Sequence, residues 1–161
     1  MTKKISIAID AMGGDNSPDK TIEGLKFFLE KNSSKNDFIL NLFGQENEIN
    51  KKLKKYKINN NSINIFHTDS VVSNNETPLT AIKSSKNTSM WNCINHQLNG
   101  RSDISLSAGN TGVLLVISKM ILKMMDGVSK PALAGLWPNK KGMSVVLDLG
   151  ANIECSSKNL I

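Results

Sequence analysis

The feature that most restricts the fold of this chain is the regular alternation of short β-branched segments with helical patterns. The segment KISIAID (4–10) predicts a strand, and TIEGLKFFLEK (21–31) follows after a loop with apolar residues at helical spacing. DFILNLFG (37–44) predicts a second strand, QENEINKKLKKY (45–56) a polar surface helix, and SINIF (62–66) a third strand. Such alternation favours crossover connections, so we predict a three-layer α/β/α fold with a mostly parallel sheet.

The remaining sequence continues this alternation. In TSMWNCINHQLNG (88–100), Thr88 or Ser89 caps the start of a helix and Gly100 suits its left-handed stop. A chain of 161 residues has the length of one domain, so a single α/β domain is predicted over 1–161. The other predicted elements are, in order, a loop over 67–78 with a short helix opened by Pro78, strands at 103–107, 131–137 and 144–150, and a largely buried helix over 113–125 with Met120, Met124 and Met125 in the core.

Three of the predicted strands end in similar small and polar residues. In a parallel sheet these turns all lie at the carboxyl edge, where open α/β sheets bind ligands, so we expect them to share one crevice. A turn of Gly and Asn that leads into a helix presents free N–H groups, which makes SAGNTG (107–112) a candidate anion or oxyanion site. Tight packing of the turns is the structural alternative. The three groups are Asp10 with Gly13, Gly14 and Asp15; Ser107 with Gly109, Asn110, Thr111 and Gly112; and Asp148 with Gly150, Ala151 and Asn152.

A further candidate anion site lies in the segment KSSKNTSM (83–90). Lys86, Thr88 and Ser89 precede a predicted helix there and are placed to converge on an anion. The structural alternative is a capping sequence with solvated lysines. Proton transfer and the ordering of loops through Asx-type hydrogen bonds are the two corresponding interpretations for the carboxylates, which are Asp10, Asp15 and Asp148.

Common cofactor signatures do not occur in this sequence. GGDNSP (13–18) lacks the lysine and the hydroxyl of a nucleotide P-loop, and GxGxxG is absent, which argues against ATP and NAD. Cys93 and Cys155 form no CxxC pair and the chain has 2 histidines, so two reduced thiols are a better interpretation than a metal site. We therefore predict a protein that uses no cofactor and no metal.

The formal charge of +6 is carried almost entirely by lysine, with Arg101 as the single arginine. Because nucleic-acid recognition favours arginine, we interpret this charge as a solvated surface that also steers an acidic protein partner, and we predict no nucleic-acid binding. No secretory signal is visible, and the longest apolar stretch is interrupted by Lys119 and Lys123. A cytoplasmic location is therefore predicted.

Four motifs together resemble the PlsX family, the phosphate acyltransferases of bacterial phospholipid synthesis. They occur in the family's order, cover almost the whole chain, and are IAIDAMGGDNSP (7–18), SSKNTSMWN (84–92), SAGNTGVLL (107–115) and LDLGANIEC (147–155). The resemblance implies an architecture like those of isocitrate and isopropylmalate dehydrogenases and of phosphotransacetylase. It also implies that these residues form the amino-terminal part of a chain about twice as long.

The reaction implied by this resemblance is transfer of a fatty acyl group from acyl-carrier protein to inorganic phosphate, which gives acyl phosphate. The implied catalytic residues are Lys86, which neutralises phosphate charge, Asn110, which donates to phosphate or the oxyanion, and Asp10 and Asp148, which hold loops or accept a proton. Acyl-carrier protein and phosphate are the implied partners, with a homodimer and peripheral contact with the inner membrane. The implied phosphate-binding residues are Gly13, Gly14, Asp15, Ser89, Ser107, Gly109, Thr111 and Asn152.

Two alternative functions stay open from the sequence. One is an enzyme of the same architecture that acts on acetyl phosphate and coenzyme A. A decarboxylating dehydrogenase of similar shape is disfavoured, because its dicarboxylate substrate requires an arginine cluster and this chain has a single arginine. The other alternative, from a different class, is a binding module that keeps a phosphate pocket and catalyses nothing.

Overall fold

The computed structural model describes residues 4–32, 37–73, 75–150, 152 and 156–157. The predicted alternation of strands and helices is confirmed from β1 to α5. The elements are β1 (Ile5–Asp10), α1 (Asp19–Lys31), β2 (Phe38–Gly44), α2 (Glu46–Lys55), β3 (Ile63–His67), α3 (Pro78–Ser84), α4 (Ser89–Leu98), β4 (Ile104–Ser107), α5 (Thr111–Leu122), β5 (Ala134–Asn139) and β6 (Gly142–Leu147).

The first four strands form a parallel sheet in the order β3-β2-β1-β4. Strand β1 is internal, because β2 pairs with it from Ile5 onward and β4 pairs with it from Ile7 to Asp10. In this register Asp10 lies directly opposite Ser107. All four strands run in one direction, so the loops that follow them leave the sheet at one common edge.

One face of the sheet packs against α1 and α2. Side chains alternate between the two faces of a strand, and Ile9, Leu40 and Leu42 all point to this side. They form a continuous core with Ile22 and Leu25 of α1, which are three positions apart and lie on the same helix face. Burial of these aliphatic side chains stabilises the layer by about 1.5–3 kcal/mol each.

The opposite face packs against α4. Ala8 and Phe43 point to this side and meet the buried Cys93 of α4. Helices α3 and α5 pack in turn on α4, in a second core that includes Met90 and Ile117. Helices therefore cover both faces of the parallel sheet, and the predicted three-layer α/β class is confirmed.

The predicted helix caps are confirmed. The Thr88 hydroxyl accepts a hydrogen bond from Trp91 N at 3.3 Å and caps α4. Gly100 follows α4 with φ of +67°, a conformation that glycine adopts without steric cost. A further cap, which is not predicted from the sequence, is Asn110, whose Oδ1 accepts from Val113 N at 3.1 Å at the start of α5. Local sequence thus fixes the ends of the two helices that border the candidate site.

The last two strands differ from the prediction. Strands β5 and β6 pair in an antiparallel sheet of their own and do not belong to the four-stranded sheet. The reason is the short connection, since Lys140 and Lys141 alone separate the two strands and parallel neighbours need a crossover of about a dozen residues or more. The prediction of a mostly parallel sheet is confirmed for β1 to β4 and wrong for β5 and β6.

The predicted helix over 113–125 is also shorter than expected. Helix α5 ends at Leu122, and Lys123 has a left-handed φ of +67° that stops it. Met125 is 80% exposed beyond this end, so its predicted place in the core is wrong, whereas Met120 and Met124 are half-buried. Val113, Ile117 and Ile121 form the buried stripe of α5 instead.

Of the two predicted thiols, the structure describes one. Cys93 is a free, buried cysteine, and burial raises the pKa of its thiol to about 12. A thiol with so high a pKa stays protonated and is a poor nucleophile, so Cys93 acts as a small core residue. Cys155 lies outside the described residues.

Candidate functional site

Asp10 and Ser107 form the centre of the carboxyl edge. Ser107 Oγ donates to Asp10 Oδ2 at 2.7 Å, and Gly109 N donates to Ser107 Oγ at 3.1 Å. Met12 N donates to Asp10 Oδ1 at 3.3 Å. Asp10 is 2% exposed. Its hydrogen bonds with Met12 and Ser107 join two loops that are distant in sequence.

The protonation of Asp10 is governed by opposing effects. Burial raises the pKa of Asp10 above its ordinary value of 3.8. The nearby Ser89 hydroxyl, the hydrogen bond from the Ser107 hydroxyl, and the backbone N–H groups of Met12 and Gly13 lower the pKa and oppose this effect without cancelling it. A carboxyl with a raised pKa accepts a proton more readily than a solvated one, which is the property required of a general base.

Ser89 lies in the first turn of α4, beside Asp10. Its hydroxyl is close enough to lower the pKa of Asp10, yet within the described ranges it makes no hydrogen bond of good geometry. The residue is fully buried, and a buried hydroxyl without a partner is costly to the folded state. Ser89 therefore offers a hydrogen-bonding group at this edge, and its part in an anion site stays a prediction.

Gly13 and Gly14 bring the first loop against the other segments. A Cβ atom on Gly13 would lie 2.6 Å from Asp10 Oδ2 and 2.7 Å from Ser107 Oγ. Gly14 has φ of +91°, and a Cβ atom there would lie 2.8 Å from the carbonyl oxygen of Ala108. Both positions thus require glycine. Because Gly13 has no side chain, its backbone can lie close to the Asp10–Ser107 pair.

Gly109 makes the same kind of close contact from the second loop. A Cβ atom on Gly109 would lie 2.7 Å from Met90 Cε and 3.4 Å from the Cα atom of Gly13. The start of α4 therefore meets the second glycine loop, which in turn contacts the first. The predicted site residues that the structure brings together are Asp10, Gly13, Gly14, Ser89, Ser107 and Gly109.

Asn110 and Thr111 stand at the amino terminus of α5. Asn110 Nδ2 donates to the carbonyl oxygen of Glu76 at 3.1 Å, while its Oδ1 caps the helix. The first N–H groups of a helix have no acceptor within it, and the helix dipole adds positive potential there. The backbone at Thr111 is therefore suited to an anion, and Asn110 fixes its position by holding two segments at once.

Two predicted site residues, Lys86 and Asp15, are exposed. Lys86 lies in the turn between α3 and α4, two residues before the cap of α4. In the part of the chain that the structure describes, no hydrogen bond or ion pair connects it to Asp10 or Ser107. Asp15 lines the same cavity as Gly13 and Ser107. The roles assigned to Lys86 and Asp15 stay predictions.

Asp148 and Asn152 were expected at the same edge because their strand was assigned to the parallel sheet. Strand β6 belongs to the antiparallel hairpin, so this reason no longer holds. Asn152 Nδ2 donates to Asp148 Oδ1 at 3.0 Å and to the carbonyl oxygen of Pro131 at 2.8 Å, while Asp148 has φ of +57°. These contacts are of the loop-ordering type, and a part in phosphate binding stays a prediction.

Sequence reasoning missed three residues of the site. Ser17 Oγ donates to the carbonyl oxygen of Gly13 and braces the glycine loop. Met90 packs against Gly109, and the Glu76 backbone anchors Asn110. A serine four residues after Gly13, just before a helix, is a usable signal for the first of these. The other two depend on tertiary contacts that no local pattern encodes.

A cavity of about 440 Å³ opens beside the Asp10–Ser107 pair. Its polar end includes Gly13 and Ser107, and the rest runs between α1 and the sheet. Apolar side chains dominate its walls, so it differs in character from the polar edge where it begins. The apolar wall residues are Ile7, Ile9, Leu25, Phe28, Leu40 and Leu106.

Comparison with known proteins decides the family. A family model described as "Fatty acid synthesis protein" matches residues 5–161. The chain belongs to this family. The resemblance to PlsX that the four motifs predict is thereby confirmed. Among curated relatives, the phosphate acyltransferase of Pelagibacter ubique is 52% identical over 161 residues, and that of Azorhizobium caulinodans is 38% identical over 162 residues.

The alignments cover different shares of this chain and of its relatives. It includes 100% of this chain but 47% of the Pelagibacter ubique protein and 45% of the Azorhizobium caulinodans protein. The chain thus spans about half the length of the curated relatives it matches. The described helices have at most 13 residues, and none of them combines the length and hydropathy of a membrane-spanning segment.

Proposed function

We propose that this chain carries the phosphate-binding part of an enzyme that transfers a fatty acyl group from acyl-carrier protein to inorganic phosphate. The observation that carries the proposal is the buried Asp10–Ser107 pair, held directly against Gly13 and beside the amino terminus of α5. Membership of the fatty acid synthesis protein family and relatives named phosphate acyltransferase support the same reaction class. The product is an acyl phosphate for phospholipid synthesis.

The chemistry requires little more than binding and orientation. An oxygen of hydrogen phosphate attacks the thioester carbonyl carbon, and the new C–O bond moves an electron pair onto the carbonyl oxygen. Return of that pair breaks the C–S bond, and the proton of hydrogen phosphate passes to the departing thiolate. The products are acyl phosphate and the free thiol of the carrier. Proximity and stabilisation of the oxyanion can supply most of the rate.

The proposed roles follow from the contacts at the edge. Asp10 accepts the proton of phosphate and passes it to the thiolate, because its raised pKa suits a group that takes up and releases a proton. Ser89 and the amino terminus of α5 donate to phosphate or to the oxyanion, with Asn110 fixing that helix end. Lys86 neutralises phosphate charge.

Gly13, Gly14 and Gly109 allow the two loops to approach closely enough to enclose the phosphate. Thr111 is proposed to add a contact to phosphate from the rim, and Asp15 is proposed to hold the first glycine loop that forms this rim. Asp148 and Asn152 are proposed to shape a loop that closes the site in the folded enzyme, an assignment supported by their mutual hydrogen bond. These roles make the glycine loops part of substrate binding and give the aspartates different tasks.

The proposed protein partner is acyl-carrier protein, which is acidic. A formal charge of +6, nearly all of it on lysine, supports attraction between the two, and that attraction weakens as salt rises. We also propose a cytoplasmic homodimer with peripheral membrane contact. The exposed apolar side chains of the β5–β6 hairpin, including Leu136, Trp137 and Val145, support an interface of this kind.

The direct test measures acyl transfer by the natural protein. Palmitoyl-acyl-carrier protein is mixed with phosphate, thiol release is followed with a disulfide reagent, and acyl phosphate is trapped with hydroxylamine. We expect thiol release that depends on phosphate and equals hydroxamate formation. Phosphate binding without turnover would instead identify a binding module, and preference for acetyl-coenzyme A would identify the acetyl-transferring alternative.

A further inference from the structure

The cavity beside Asp10 combines a polar end with an apolar body. At the polar end lie Gly13 and Ser107, where the reacting carbonyl and phosphate meet in the proposed function. The body extends under α1 towards Phe28, along Ile7 and Leu40 of the sheet. This order of polar and apolar surface matches a ligand with a reactive polar head and a hydrocarbon tail. The volume of about 440 Å³ lies within the range of about 300–1,000 Å³ typical of small-molecule sites.

The apolar body is accessible rather than filled by the described part of the chain. Leu106 on β4 is 57% exposed and Phe28 on α1 is 38% exposed, although both line the cavity. Apolar surface that is concave, open and continuous with a reactive edge is the usual form of a binding groove. An acyl chain would cover these side chains and bring its own apolar surface out of water.

Gly24 gives a second, independent observation. This glycine lies within α1 and lines the cavity, and a Cβ atom built on it meets nothing within 4 Å. Glycine is a poor helix former, and here no packing contact or positive φ requires it. The missing side chain of Gly24 keeps the groove open beside α1. A larger residue at this position would project into the groove without disturbing the protein around it.

We propose that this groove binds the fatty acyl chain of the substrate, with the thioester carbonyl at the Asp10–Ser107 edge and the hydrocarbon directed along α1 towards Phe28. The inference rests on the proposed function and adds the determinant of chain length to it. Gly24 is then the residue that sets the width of the groove, and Phe28 stands near its far end. Longer chains gain affinity until they fill the groove, at about fourfold per buried methylene.

The test compares acyl chain lengths in the natural protein and in Gly24→Phe. Butyryl, octanoyl and palmitoyl thioesters of acyl-carrier protein are supplied with saturating phosphate. We expect Gly24→Phe to lose about a hundredfold or more in kcat/KM for palmitoyl transfer, and less than about threefold for butyryl transfer, because several methylenes lose their contacts. Phe27→Ala is the control, since Phe27 lies on the same helix, is 63% exposed and does not line the cavity.

An unchanged ratio of palmitoyl to butyryl transfer in Gly24→Phe would overturn the inference. If Gly24→Phe does not fold, Leu106→Gln tests the opposite wall of the groove instead. We expect this variant to lower palmitoyl transfer selectively. The fluorescent fatty acid cis-parinaric acid provides a readout that needs no turnover: we expect binding to the natural protein and its loss in Gly24→Phe. Absence of parinarate binding to the natural protein would also overturn the inference, because the groove would then not be open to an acyl chain. If no thioester is turned over but parinarate binds in the Gly24-dependent manner, the proposed reaction fails and the groove stands.

Discussion

Ser107 Oγ donates a 2.7 Å hydrogen bond to Asp10 Oδ2 across a separation of 97 positions in the chain. Two neighbouring parallel strands hold the pair in register at their carboxyl ends. The hydroxyl lowers the pKa that burial raises, so the charge on Asp10 depends on a residue from a distant loop. The pair therefore couples the geometry of the site to its acid–base behaviour.

Removal of this hydrogen bond should impair catalysis. In Ser107→Ala the pKa of Asp10 rises further and Gly109 N loses its acceptor. We expect kcat/KM for phosphate-dependent thiol release to fall about ten- to a hundredfold, since a hydrogen bond to a charged group contributes about 1.5–3 kcal/mol. The control is Ser105→Ala, because Ser105 lies on the same face of β4 and donates to Cys93 O at 3.2 Å instead. Equal losses in the two variants would count against a special role for Ser107.

The raised pKa of Asp10 predicts a specific pH dependence of stability. Because the pKa is higher in the folded than in the unfolded state, the stabilising contribution is fully present below the ordinary value of 3.8 and is lost as pH rises through the folded pKa. In Asp10→Asn this dependence disappears. Urea unfolding at several pH values should show the stability of the natural protein relative to Asp10→Asn falling as pH increases. Asp126→Asn, at an exposed position, should leave the curve unchanged.

A side chain at position 13 should distort the site. The Cβ atom of Gly13→Ala would lie within 2.7 Å of both Asp10 Oδ2 and Ser107 Oγ, so these atoms must move. We expect a loss of about 1–3 kcal/mol in the free energy of unfolding, the usual cost of overpacking. In the double variant with Ser107→Ala one clash is removed, so the combined cost should be smaller than the sum of the single costs. Additive losses in urea unfolding would contradict the geometry.

Substitutions of Asn110 should separate capping from substrate binding. Asn110→Ala removes the acceptor for Val113 N and should cost about 1 kcal/mol of stability. Asn110→Asp keeps that acceptor but loses the donor to Glu76 O and adds negative charge near the proposed phosphate site. We expect near-native thermal stability and a raised phosphate KM for Asn110→Asp. Unchanged phosphate affinity in this variant would remove Asn110 from the site.

Lys86 should affect phosphate affinity more than folding. The side chain is exposed in the turn before α4, so Lys86→Ala should change the free energy of unfolding by less than about 0.5 kcal/mol. We expect the phosphate KM to rise about fivefold, because one positive charge near a bound dianion would contribute on the order of 1 kcal/mol. Lys83→Ala is the matched control, since Lys83 is exposed in the last turn of α3. Equal phosphate KM values for the two variants would reject Lys86 as a ligand.

Much of the site could be predicted from the sequence because parallel strands impose a common edge. Once β1 and β4 are recognised as strands of one sheet, Asp10 and Ser107 must leave it on the same side. The glycines at 13, 14 and 109 then indicate close backbone approach, and the contacts that a Cβ atom would make there agree. This inference needs strand identity and direction but no tertiary detail.

The errors arose where the sequence pattern does not fix the partner of a strand. The segments 131–137 and 144–150 have the composition of strands, but the strands that form there, β5 and β6, are joined by Lys140 and Lys141 alone and make a hairpin. Counting the intervening residues would have excluded a parallel crossover and, with it, the placement of Asp148. The exposure of Lys86 and Met125 could not be read from composition, because it depends on where the neighbouring helices end.

The pairing of β1 with β4 also governs when the site comes into existence. Asp10, Gly13 and Gly14 are synthesised early, but their partner Ser107 is translated much later, after α1 to α4. A ribosome-bound nascent chain that ends before Ser107 therefore contains the first glycine loop without the strand that positions it. The proposed phosphate site forms only after β4 has emerged and docked on β1, so during translation it is assembled late.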